Sequence, residues 1–62
     1  MHWTYPNSSA IEAIGYDGYT LAVVFHKSGR YDHPGVSESL HRRFINSGSK
    51  GRFYNEYIRG QF

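Results

Sequence analysis

The residue types best suited to chemistry sit late in the chain. Ser47-Gly48-Ser49-Lys50-Gly51-Arg52 leads into Tyr54-Asn55-Glu56-Tyr57-Ile58-Arg59. Glycines let backbone approach a ligand closely, and free N–H groups at a helix start favour an anion. Lys50 and Arg52 add positive charge and Ser49 adds a hydroxyl, so Ser49, Lys50, Gly51 and Arg52 read as a phosphate cradle. A helix C-cap followed by a tight inter-helix turn needs the same glycines and is the competing explanation. The spacing is not that of a Walker A loop, and no strand precedes it.

Arg42, Arg43 and Arg59 extend the basic patch, because a guanidinium fork bonds two phosphate oxygens at once. Tyr31, Tyr54 and Tyr57 offer stacking surfaces for bases, although one of Tyr54 and Tyr57 is expected to pack on the sheet instead. Asn55 either reads a base edge or caps a turn. The four histidines, His2, His26, His33 and His41, show no zinc-helix spacing and have no cysteine to assist them. They read as ordinary surface residues, with no metal site. No nucleophile–base arrangement stands out, so the chain is not expected to be an enzyme.

Composition narrows the class. Sixty-two residues make a single domain over 1–62, and such a chain buries only about 60% of its unfolded surface. Disulfides are excluded by the absence of cysteine, which suits a reducing compartment. No apolar run approaches the roughly 20 residues of a membrane helix. The first residues lack the pattern of a secretion signal, so a cytoplasmic location is expected. Aromatic residues make up 18% of the chain, which serves both a small core and a binding surface. Most Phe rings are expected in the core and several Tyr rings at the surface. Net charge is −1 over residues 1–29 and +3 over residues 30–62, an asymmetry that hints at an anionic partner.

The elements that must position these groups follow from period and punctuation. Residues 1–9 read as polar and turn-like. Ala10 to Tyr16 reads as a strand, with Asp17-Gly18 as a two-residue hairpin tip. Tyr19 to His26 reads as the second strand, with Leu21, Val23 and Phe25 on one face. Lys27-Ser28-Gly29 turns into a third short strand, Arg30 to His33, stopped by Pro34-Gly35. Gly15 allows close packing or a bulge. Ser37 reads as an N-cap and Gly48 as the C-cap of a helix bearing Leu40, Phe44 and Ser47 on one face, with His41 and Ile45 beside it. A second helix is expected over about Arg52 to Arg59, pairing Phe53 with Tyr57 and Tyr54 with Ile58. The expected fold is α+β: a three-stranded antiparallel β-meander followed by one or two helices packed on one face.

The ordered set Ser8-Ser9-Ala10-Ile11, Ile14-Gly15-Tyr16-Asp17, Leu21, Val23, Phe25, Gly29, Tyr31, Gly35-Val36, Ser49-Lys50-Gly51-Arg52-Phe53-Tyr54-Asn55 and Ile58-Arg59 covers nearly the whole chain. It resembles the KTSC family, a short domain also seen at the C-terminus of some lysyl-tRNA synthetases, with stand-alone phage and bacterial copies. The resemblance suggests RNA binding and does not imply an enzyme. One departure stands out: the family usually carries Tyr-x-Tyr in the third strand, and this chain has Tyr31-Asp32-His33. His33 would then alter any ligand contact made by the second Tyr.

The leading expectation is a non-catalytic protein that recognises a phosphate-bearing nucleotide ligand, foremost RNA or other nucleic acid. It needs the cations of both helices and of the glycine loop to converge on one pocket. A second expectation is a small homo-oligomer that sequesters a cyclic nucleotide at subunit interfaces. A third is a protein–protein adaptor or inhibitor of a host enzyme, using Trp3, Tyr5 and a sheet edge.

Overall fold

Strand pairing begins earlier than the sequence pattern indicates. In the computed structural model, which describes residues 1–62, His2–Thr4 forms β1. It is followed by β2 (Ile11–Tyr16), β3 (Leu21–Phe25), β4 (Gly29–His33), α1 (Glu38–Ile45) and α2 (Lys50–Phe53), which runs on into a π-helical turn (Tyr54–Ile58). The sheet is four-stranded, antiparallel and ordered β1-β2-β3-β4, so the expected three-stranded meander gains an N-terminal strand. β1 pairs His2 with Tyr16, Trp3 with Gly15 and Thr4 with Ile14. Three residues are too few to show a period, which is why this strand looked like part of a turn.

The β2–β3 register also differs from expectation. Tyr16 pairs with Leu21, and the Asp17 amide donates to the Thr20 carbonyl, leaving Gly18 and Tyr19 at the tip. Asp17 Oδ1 accepts from the amides of Tyr19 (2.9 Å) and Thr20 (2.6 Å), so its carboxylate closes the turn and pushes the tip on by one residue. These two bonds hold its carboxyl below the usual range. Gly18 takes the left-handed conformation the tip requires, with φ of 98°.

Cross-strand partners share a face, so Ile11, Ile14, Tyr16, Leu21, Val23, Phe25, Tyr31 and His33 lie on the helix side. A bulge between Ile11 and Ala13 lets Ile11 and Ile14 reach the same core despite their odd spacing. The core gathers Ile11, Ile14, Tyr16, Leu21, Val23, Val36, Phe44, Tyr54 and Ile58, with Phe25, Leu40, Ile45 and Phe53 packed against it. On the opposite face the Trp3 indole lies against Gly15. A Cβ there would come within 2.8 Å of the ring and 2.7 Å of Met1 sulfur, so Gly15 serves close packing.

Ser37 caps α1 as its position suggests, its hydroxyl accepting from the Leu40 amide at 3.1 Å. The other end differs. The helix stops at Ile45 with Asn46 as its cap, and Gly48 is not in the left-handed conformation of a C-cap glycine. Ser47 does that work, its hydroxyl donating to the Phe44 carbonyl at 2.7 Å. The second helix starts at Lys50, two residues before the expected position, and its last turn widens so that the Arg59 amide donates to the Tyr54 carbonyl.

Candidate functional site

The most voluminous of three concavities lies where the β3–β4 hairpin faces the π turn. It is a cleft of about 320 Å³ lined by Phe25, Ser28, Tyr31, Tyr54, Asn55 and Arg59. Gly29, with φ of 85°, closes the hairpin and sets Ser28 at the rim. Tyr31 stands on β4 opposite Val23, exposed, with its ring edge-on to Phe25 at 5.6 Å. Phe25 in turn meets the Tyr54 ring edge-on at 5.0 Å. The π turn keeps Tyr54 and Ile58 in the core while Asn55 and Arg59 stay exposed at the cleft. Aromatic faces, an amide and a guanidinium therefore share one hollow.

A second hollow of about 260 Å³ is formed by Asn7, Ser8, Ser9 and Ala10 against Gly48, Ser49, Lys50 and Gly51. A third, of about 280 Å³, lies between them and is lined by Ser9, Ala10, Phe25, His26, Lys27 and Ser28. It shares Phe25 and Ser28 with the first and Ser9 and Ala10 with the second. The three make one curved groove around this end of the molecule. Ser8 shapes it, its hydroxyl accepting from the Ala10 and Ile11 amides while its carbonyl lies 3.0 Å from His26 Nε2. Gly51 packs on the Ala10 side chain, where a Cβ would meet it at 3.4 Å.

The cations do not converge on one pocket. Arg42 bonds Glu38 at 2.8 Å and Arg52 bonds Glu56 at 2.9 Å, each an exposed i,i+4 pair on the outer helix surface. Arg43 lies over the Phe53 and Tyr57 rings, at 5.7 and 5.2 Å from their centroids. The Lys50 ammonium folds back onto the Ser47 carbonyl at the edge of the second hollow. Arg59 borders the main cleft and Lys27 the bridging hollow, neither within an ion pair. Thus the structure brings Tyr31, Tyr54, Asn55 and Arg59 together, and sets Ser49, Lys50 and Gly51 further along the same groove. Arg42, Arg43 and Arg52 sit apart from it. Phe25, Ser28 and Lys27 are groove residues that the sequence reading did not select.

The histidines also need correction. His2 and His26 are exposed, but His33 and His41 are buried. His33 Nε2 is 2.8 Å from the Tyr54 hydroxyl, and the buried ring lines none of the hollows, so His33 is not the direct ligand contact expected of it. His41 stacks on Tyr16 with centroids 4.3 Å apart, and burial lowers its pKa from the ordinary 6.5. Neither His33 Nδ1 nor His41 Nε2 has a hydrogen-bond partner. Nowhere do three or more His, Cys, Asp or Glu side chains cluster as metal ligands would. No helix is long and apolar enough to cross a membrane.

Sheet order, helices on a single face and an end groove define a small α+β domain of one layer on another. A family model described as the KTSC domain matches residues 7–62, and the chain belongs to that family. The fold is similar to the crystal structure of a KTSC domain protein from Yersinia pestis. There the TM-score is 0.93 at 38% identity, over 98% of this chain and 89% of that one. No curated protein matches.

Proposed function

We propose that the chain is a non-catalytic binding domain for single-stranded nucleic acid, seating one nucleotide unit in the main cleft. The expected convergence of cations fails, since Arg59 is the one cation lining the cleft. The observation that carries the reading instead is the shared hollow of the exposed Tyr31 ring and the Arg59 guanidinium. A base stacks on an aromatic face whatever its identity, and a guanidinium beside it meets the phosphate. The volume is that of a small-molecule pocket at its lower end, right for one unit and too small for several. Continuity past Lys27 to the Ser49–Gly51 hollow gives the backbone of a longer strand a path to follow. The same features suit an RNA partner.

The test is fluorescence anisotropy of a labelled uridine dodecamer against salt. With Arg59, Lys27 and Lys50 along the groove, two or three phosphate contacts give a log–log slope of about −1.4 to −2.1, at about −0.7 per contact. Absence of binding at low salt, or a flat salt response, refutes the reading. Equal affinity for uridine monophosphate and for the dodecamer would replace a strand with a small free nucleotide as ligand.

A further inference from the structure

His33 and Tyr54 come from elements 21 residues apart, yet His33 Nε2 lies 2.8 Å from Tyr54 Oη. The other ring nitrogen, Nδ1, is buried and touches no donor or acceptor. The single bond between them can be made in two ways. With the imidazole proton on Nδ1, the Tyr54 hydrogen is spent on Nε2 and a buried N–H is left without an acceptor. With the proton on Nε2, His33 donates to the Tyr54 oxygen, a bare lone pair is left inside, and the Tyr54 hydrogen is left for an acceptor in the cleft that Tyr54 lines. An unpaired buried donor is costlier than a bare lone pair, so the second arrangement prevails once the cleft offers the Tyr54 hydrogen an acceptor.

That choice decides what Tyr54 offers the cleft. Its oxygen is engaged by His33, which is the hydroxyl's only partner among the protein's side chains and backbone. Its hydrogen must point elsewhere. Tyr54 bounds the cleft together with Tyr31, Asn55 and Arg59. Burial is the main cause that raises the Tyr54 pKa, with Tyr31 adding to it and Arg59 opposing it. The hydroxyl therefore stays protonated, and Arg59 lines the same cleft. A guanidinium has five donors and no acceptor, and the oriented phenol adds one more donor. What complements them is an anionic, acceptor-only group. A base carbonyl could take the phenol hydrogen but gains little from the positive charge.

We infer that the Tyr54 hydroxyl and the Arg59 guanidinium together seat a phosphate oxygen, and that His33 is the positioning residue that aims the hydroxyl at it. This rests on the nucleotide reading of the cleft and assigns its phosphate end. Tyr31 is left to carry the base, and Asn55 the sugar or base edge.

The experiment is an NMR-monitored titration of the whole chain with uridine 5′-monophosphate, with uridine and with inorganic phosphate. The decisive quantity is the ratio of monophosphate to nucleoside affinity, since general loosening of the fold lowers both together. Tyr54→Phe keeps the ring and is expected to reduce this ratio roughly ten-fold, as loss of a bond to a charged group does. His33→Met is expected to reduce it similarly. His33→Gln places an amide N–H where Nε2 was and is expected to preserve it. Uridine affinity stays constant throughout. An undiminished ratio in Tyr54→Phe overturns the assignment, as does a loss in His33→Gln equal to that in His33→Met. Wild-type protein that binds uridine and its monophosphate equally overturns it too, while leaving the stacking cleft intact. Binding of neither removes the nucleotide reading itself.

Discussion

Two histidine–tyrosine pairs lie side by side in this molecule, and they are put to different uses. His41 lies flat on Tyr16, whose hydroxyl donates to the Val36 carbonyl at 2.6 Å. That hydroxyl is consumed inside the fold, tying β2 to the segment before α1. His33 instead meets Tyr54 obliquely, rings at 62°, and bonds its hydroxyl directly at the margin of the cleft. The two pairs are neighbours, because Tyr16 and His33 both pair with Leu21. Composition is the same in each and so is depth, since all four residues are between 7% and 8% exposed. What separates a structural pair from a candidate functional one is where the phenol's hydrogen can go. In the first it is bound to backbone; in the second it is left for an acceptor in the cleft that Tyr54 lines.

The harshest way to break the comparison is Phe44→Ala. Phe44 belongs to the core cluster that includes both tyrosines. Its loss is expected to cost about 3–5 kcal/mol, and denaturant unfolding should show it. For a domain this size that is a large share of total stability. Next comes Tyr16→Phe, which leaves the Val36 carbonyl without its buried donor. About 1–3 kcal/mol should be lost, with the groove's ligand affinity unchanged in the folded protein. If Tyr16→Phe instead weakened ligand binding as Tyr54→Phe does, the two pairs would not differ as described.

Acidification sharpens the contrast. The folded pKa of His41 lies below the ordinary 6.5, chiefly through burial. The unfolded chain therefore takes up a proton first, and stability falls as pH drops below about 6.5 towards the folded value. Thermal midpoints between pH 7 and 5 should decline, and His41→Leu should flatten that decline. Asp17 is depressed as well, so its contribution disappears only at lower pH, within the carboxylate range. The smallest effect concerns charge. Arg59→Ala should lower the salt slope of dodecamer binding by about 0.7, whereas Arg42→Ala should leave it unchanged, because Arg42 lies with Glu38 away from the groove.

Much of the fold was legible in the chain because its cues are local. The Leu21, Val23, Phe25 alternation, the Ser37 cap and the Gly29 turn all stand where spacing puts them. The register of β2 on β3 was not, because an aspartate side chain replaced a backbone group in closing the turn. The two buried histidines were missed for a different reason: each is matched to a tyrosine 21 or 25 positions away, and no local period encodes that. The cations are the instructive case. Glu38 to Arg42 and Arg52 to Glu56 are both four apart, so their pairing was readable from the start. Charge on these helices adds up by face rather than by segment, and each of these arginines is neutralised on its own face.

Trp3 and Gly15 carry a consequence for how this chain can vary. The indole covers the one place on β2 where a side chain has no room. A substitution at either position alone is penalised, by a clash in one direction and by an uncovered strand in the other. Bulk at 15 therefore requires both the Trp3 ring and the Met1 side chain to move aside, so position 15 is tied to two residues of the chain's first three.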